Sequence, residues 1–165
     1  MAAGVKILGI DPGTATTGFG VIEKQGSKLR FIDAGVITTP PEMSMPNRLS
    51  EIYAGLGEII NSHKPDCMAV ELLYFASNVT TAITVGQARG VVLLAGAEAG
   101  LPVGEYTPLQ VKQAVTGYGK ADKKQIQEMV KMILGLDGIP KPDDAADGLA
   151  IAITHANQVV GVSAR

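Results

Sequence analysis

Apolar positions along the chain follow two rhythms, a short one near the N-terminus and a helical one further on. Ile7-Leu8-Gly9-Ile10 is an apolar run closed by Asp11-Pro12-Gly13, and a short buried run ended by turn residues predicts a strand. Gly18–Ile22 and Leu29–Thr38, rich in Val and Ile, predict two more strands joined through Lys24-Gln25-Gly26-Ser27. The connector Thr39–Pro46 carries Pro40, Pro41 and Pro46 and predicts neither helix nor central strand, since proline has no amide to donate. Leu49, Ile52, Tyr53, Leu56, Ile59 and Ile60 then recur at the spacing of one helical face. Lys64-Pro65-Asp66 ends that helix, and Cys67–Val70 predicts a fourth strand with Glu71 next in line. An Ala- and Gly-rich helix is predicted from Thr80 to Ala99, its small residues suited to close packing against another helix of this or a second subunit. Val103–Tyr106 predicts a fifth strand, and three helical segments start at Pro108, Asp122 and Pro142. Strands first and alternating elements later predict an α/β domain with a mixed sheet.

The 165 residues suit a single domain, 1–165. A hydrophobic share of 46%, with 18% charged residues, supplies a core and excludes a disordered chain. The longest unbroken apolar stretches, Gly90–Ala97 and Gly148–Thr154, fall short of the roughly 20 residues a membrane span needs, so no membrane association is expected. Lys6 is followed only by the run to Asp11, which is no secretory leader. The lone Cys67 excludes an internal disulfide framework and a cysteine-based zinc site, and the expected compartment is the reduced cytoplasm. A net charge of −2 is not the basic balance of a protein that grips nucleic acid with its whole surface. The charge is segregated, however: Lys112, Lys120, Lys123, Lys124 and Lys131 share one segment with only Asp122 and Glu128.

Candidate chemistry lies in the carboxylates. Asp11 ends the first strand, where Asp-Pro-Gly is also an ordinary turn. Glu71 follows the fourth strand at the carboxyl edge of the sheet, where α/β proteins tend to place sites. Asp144 and Asp147, three apart, share one helix face, in a first turn whose dipole tolerates negative charge. Asp143 or Asp144 also suits an N-cap. Asp147 interrupts an Ala/Leu/Ile helix, and a buried carboxylate without a partner is costly. Brought together, four such groups repel and raise one another's pKa. Hard, oxygen-seeking Mg²⁺ or Mn²⁺ makes the cluster favourable, and paired metals on carboxylates are an apparatus for phosphodiester cleavage.

Gly9-Ile10-Asp11-Pro12-Gly13, Val70-Glu71, Gly86-Gln87-Ala88-Arg89-Gly90, Gln110-Val111-Lys112-Gln113 and Asp144-Ala145-Ala146-Asp147, followed by Ala150-Ile151-Ala152-Ile153-Thr154-His155, resemble the RuvC Holliday-junction resolvases of bacteria, in order and spacing and over nearly the whole chain. The resemblance implies an RNase H-like fold, a five-stranded mixed sheet flanked by helices on both faces. It implies a homodimer that nicks two opposed strands of a four-way DNA junction with divalent metal and cooperates with the RuvA–RuvB branch-migration complex. Two Mg²⁺ per site are expected, with Mn²⁺ as a substitute. Carried over by position, the catalytic and metal-binding residues are Asp11, Glu71, Asp144 and Asp147, which leaves Asp143 as a cap. Lys112 and Lys123 match lysines that assist DNA binding or catalysis near the scissile phosphate. Tyr74 matches an aromatic that stacks on unpaired bases, and Phe75, Asn78 and Arg89 are further expected contacts, Arg89 with DNA or the dimer partner.

Other residues read more simply. His63 is expected at a solvated helix end, His155 lies two turns beyond Asp147 and outside the site, and Cys67 fills a strand. Gly148 inside a helix costs about 1 kcal/mol of propensity and permits close packing. Two alternatives stand beside the nuclease. One is an actin-like phosphotransferase, whose Asp-x-Gly-Thr turn is comparable to Asp11-Pro12-Gly13-Thr14 but which needs a longer chain. The other is an RNase H-like factor acting on structured RNA.

Overall fold

The computed structural model describes residues 4–72 and 78–159. Strands β1 (Val5–Asp11), β2 (Thr16–Gln25), β3 (Lys28–Thr38), β4 (Cys67–Glu71) and β5 (Val103–Tyr106) form one sheet in the order β3-β2-β1-β4-β5. The first three are antiparallel neighbours, whereas β4 joins β1, and β5 joins β4, in parallel. Antiparallel neighbours need only tight turns, but parallel ones need a crossover. Helices α1 (Met45–His63) and α2 (Val79–Glu98) supply the two crossovers. Helices α3 (Pro108–Thr116), α4 (Lys123–Leu134) and α5 (Asp143–Gln158) follow β5. Capping boxes start α3 and α4, Thr107 with Gln110 and Asp122 with Gln125.

Side chains alternate across the sheet, and each face has its own core. Leu8, Ile10, Val21, Met68 and Val70 pack with Ile52 and Leu56 of α1 and Ala88, Val92 and Ala95 of α2. Ile7, Ile22, Cys67 and Ala69 pack instead with Val111 and Val115 of α3, Val130 of α4, and Leu149–Ile153 of α5. Helices therefore cover both faces, as expected. Asp11 is in phase with Ile7, and Glu71 with Cys67 and Ala69, so both carboxylates point to the α5 face.

Helix α5 lies against glycine. A Cβ at Gly18 would sit 1.9 Å from the Asp144 carbonyl oxygen, and one at Gly9 would sit 2.2 Å from that of Gly148. A Cβ at Gly148 would itself lie 2.6 Å from the carbonyl carbon of Phe19. Gly148 thus meets its expectation: what it loses in propensity is the condition for α5 to touch the backbone of β1 and β2.

Three expectations change. Helix α1 begins at Met45, with Pro46 in its first turn, because an N-terminal turn does not use the missing amide. His63 ends α1 as expected but is half-buried rather than solvated: its Nε2 meets Asp33 Oδ2 at 2.8 Å, and its side chain is 22% exposed. Finally, α2 is, by length and composition, long and apolar enough to cross a membrane. The apolar residues of α2 are interrupted by Thr, Gly, Gln87 and Arg89 and so form no long unbroken run. Here α2 buries Ala88, Val92, Ala95 and Gly96 and leaves Val79, Ile83 and Leu94 exposed.

Candidate metal centre

Strand ends and one helix build the centre. The last β1–β4 pair is Ile10 with Val70, so Asp11 and Glu71 close adjacent parallel strands side by side. The first turns of α5 cross above them, held close by the glycine contacts. One carboxylate oxygen from each of Asp11, Asp144 and Asp147 lies within 4.8 Å of the others. Glu71 stands beside this trio, close enough that its charge helps raise the Asp11 carboxyl. All four predicted acidic residues therefore meet, with three in the tight cluster and the fourth at its edge.

Electrostatics shows what the cluster lacks. Burial first, then the charges of Glu71, Asp147 and Asp144, push the Asp11 carboxyl from 3.8 up to about 9. Burial also raises Glu71, against the pull of Lys112, and raises Asp147, against the pull of Lys123. A neutral Asp11 is the metal-free solution to like charge at close range. A cation is the other solution, and an all-carboxylate donor set fits hard divalent ions.

Both predicted lysines border the centre. Lys123 Nζ, at the start of α4, is 3.8 Å from Asp147 Oδ2 and 3.9 Å from Asp143 Oδ2. Lys112 and Lys123 line a cleft of about 190 Å³ together with Glu71, Asp147, Pro108 and Val111. Asp143 is not the cap: Pro142 holds that position without a side-chain bond, and Asp143 pairs with Lys141 at 3.3 Å. A proline N-cap has no oxygen to offer, so the helix start is fixed by tertiary packing instead.

The remaining expected contacts lie elsewhere. Asn78 caps α2, its Oδ1 accepting from the amides of Thr80 and Thr81 at 3.1 and 3.3 Å. Arg89 pairs with Glu105 of β5, and its Nε is buried without a partner. Neither residue joins the carboxylates. Tyr74 and Phe75 fall outside the described residues. His155 stays out of the site, as expected: its Nδ1 meets the Tyr106 hydroxyl at 2.6 Å, and burial lowers its pKa.

A model of the family described as crossover junction endodeoxyribonuclease RuvC matches residues 7–155. The chain belongs to the RuvC family. It is 64% identical over 150 residues to the crossover junction endodeoxyribonuclease RuvC of Rubrobacter xylanophilus, covering 91% of this chain and 84% of that one. It is 61% identical to the RuvC of Chloroflexus aggregans, covering 92% and 93%. Among solved structures, Thermus thermophilus RuvC in complex with a Holliday junction substrate aligns with a TM-score of 0.88 at 42% identity, covering 92% of this chain and 93% of that one. The yeast mitochondrial Holliday junction resolvase Ydc2, at TM-score 0.65 and 14% identity, shares the fold. That fold is RNase H-like, and neither the phosphotransferase nor the RNA-processing alternative is favoured by these RuvC relatives.

Proposed function

We propose that this RuvC-family chain is a crossover junction endodeoxyribonuclease that resolves four-way DNA junctions as a homodimer, by paired symmetric nicks, in the cytoplasm. The observation that carries the reading is the approach of Asp11, Asp144 and Asp147 to within 4.8 Å, with Glu71 beside them. These four residues would hold two Mg²⁺, or Mn²⁺ in substitution. Such a pair supplies an activated water and stabilises the leaving oxygen, giving a 5′-phosphate and a 3′-hydroxyl. The sheet fixes Asp11 and Glu71, and α5 fixes Asp144 and Asp147, so the acidic oxygens are positioned before DNA arrives. The proton on metal-free Asp11 must leave when cations bind. Lys112 and Lys123 border the cleft between Glu71 and Asp147, where their charge offsets that of the incoming phosphate.

Helix α2 supports the dimer. Val79, Ile83 and Leu94 are 69%, 57% and 51% exposed, and they share one helical stripe with Gly86 and Gly90, where a Cβ would meet nothing within 4 Å. An apolar stripe with glycines at its centre lets a second copy of the helix approach closely. A twofold dimer through this stripe would present two centres to the two equivalent strands of a junction. The RuvA–RuvB complex and the stacking and contact roles of Tyr74, Phe75, Asn78 and Arg89 belong to the same reading.

The test is cleavage of a synthetic four-way junction beside a linear duplex and a structured RNA, with and without Mg²⁺. Metal-dependent, symmetric nicking of the junction alone is expected. Asp11→Asn should keep junction binding and lose nicking; full nicking by that variant refutes the metal role.

A further inference from the structure

The turn that follows Asp11 is tied down from within by residues outside the carboxylate cluster. The fully buried Thr17 donates its hydroxyl to the Gly13 carbonyl at 2.6 Å. Thr39, 4% exposed, donates its hydroxyl to the Thr14 carbonyl at 2.5 Å and its amide to the Ala15 carbonyl at 3.0 Å. Arg48, in the first turn of α1, donates from Nε to the Thr39 hydroxyl at 2.8 Å. Three consecutive carbonyls are thus satisfied inside the protein. The amides of Gly13, Thr14 and Ala15 donate to no protein acceptor among the described residues. Gly13 and Thr14 are half-buried and Ala15 is exposed.

Arg48 is a charge without a counter-charge. Among the described residues no carboxylate pairs with it, and its two terminal nitrogens have no acceptor and reach solvent. Its Nε bond fixes the plane of the guanidinium, which limits the entropy lost when the remaining donors engage a ligand. An oriented guanidinium with two free terminal nitrogens is a recognition element for phosphate oxygens. Thr14 is three residues from Asp11, within about 11 Å along the chain.

Resting on the nuclease reading, we infer that Arg48 binds a backbone phosphate of the DNA strand that enters the metal centre. Strand order places this contact. The Lys112–Lys123 cleft adjoins Glu71 on β4, toward β5, whereas Arg48, at the start of α1 on the opposite face of the sheet, is tied through Thr39 to the turn that follows Asp11, toward β3. Basic side chains thus stand at both flanks of the strand ends that carry Asp11 and Glu71. Thr17 and Thr39 act as positioning residues for the turn.

The experiment measures the affinity of the full chain for a four-way junction and for a linear duplex in EDTA, as salt rises from about 50 to about 200 mM. Arg48→Gln and Arg48→Lys are compared with wild type, and thermal unfolding reports their folding. A single phosphate contact adds about 0.9 to the slope of log affinity against log salt. Arg48→Gln should lose that increment, so wild type should weaken about 3.5-fold more than the variant across the range. Arg48→Lys should keep the wild-type slope, because the charge remains. An unchanged slope in Arg48→Gln overturns the inference and leaves Arg48 a structural tie. So does an equal loss in Arg48→Lys, which would mean that geometry rather than charge had been removed. If wild type binds the junction no better than the duplex, the resolvase reading fails separately, while the duplex slopes still decide the role of Arg48.

Discussion

Replacing Asp11 by Asn should make the metal-free protein more stable while destroying its activity. In the fold the Asp11 carboxyl is held protonated, its pKa raised from 3.8 to about 9 by burial and by Glu71, Asp147 and Asp144. The unfolded chain releases that proton above about pH 4. Between these values the unfolded state binds fewer protons than the folded one, so stability falls as pH rises from about 4 to about 9. At 1.36 kcal/mol per unit, the penalty at pH 7 reaches about 4 kcal/mol. Asparagine has the shape of the protonated acid and its own donors for Glu71 and Asp147, so it should recover at least about 2 kcal/mol. For a chain of this size that is a rise of about 4–8 °C in Tm. Calorimetric unfolding in EDTA at pH 7 and at pH 4 is the assay. The gain should be present at pH 7 and vanish at pH 4. Millimolar Mg²⁺ should then raise the Tm of wild type and not of the variant, since a ligand stabilises only the state that binds it. A variant no more stable than wild type in EDTA, or a gain equal at both pH values, refutes the claim that the carboxylates crowd one another.

Three further outcomes test other links. Gly148→Ala places a Cβ 2.6 Å from Phe19 backbone and should cost about 2–3 kcal/mol by forcing α5 off the sheet; denaturant unfolding measures it, and nicking should fall with it. Lys123→Ala removes the cation 3.8 Å from Asp147 and should slow single-turnover junction cleavage at saturating protein by about 10²-fold. Ile83→Glu combined with Leu94→Glu puts charge on the exposed stripe of α2 and should give a monomer in sedimentation, one that no longer nicks both strands of a junction in concert.

Much of the fold was legible because its signals are local. Four apolar residues before Asp-Pro-Gly make a buried strand wherever they fall, and the helical spacing from Leu49 to Ile60 commits one face of α1 to the core. Capping residues at Thr107 and Asp122 set helix starts through bonds to amides three residues on. Local signals failed where a distant group decided the outcome. His63 reads as a helix end, yet Asp33 on β3 claims it. The aspartates at the start of α5 read as caps, yet Pro142 takes that position without a side-chain bond, because packing against β1 and β2 holds the turn in place.

The sequence alone determined which carboxylates exist and that each lies at a strand end or on one helix face; the register of β1 with β4 then decided that Asp11 and Glu71 share a side. The tertiary structure alone decided that these groups meet. Glycines at 9, 18 and 148 let α5 descend onto the sheet backbone, a distance that no propensity encodes, and that descent turns four separate acids into one cluster with an Asp11 pKa near 9. The Arg48–Thr39–Thr14 chain is likewise invisible along the sequence, because hydrogen bonds between residues 9 and 25 positions apart form only once β3 and α1 have come to rest beside the turn.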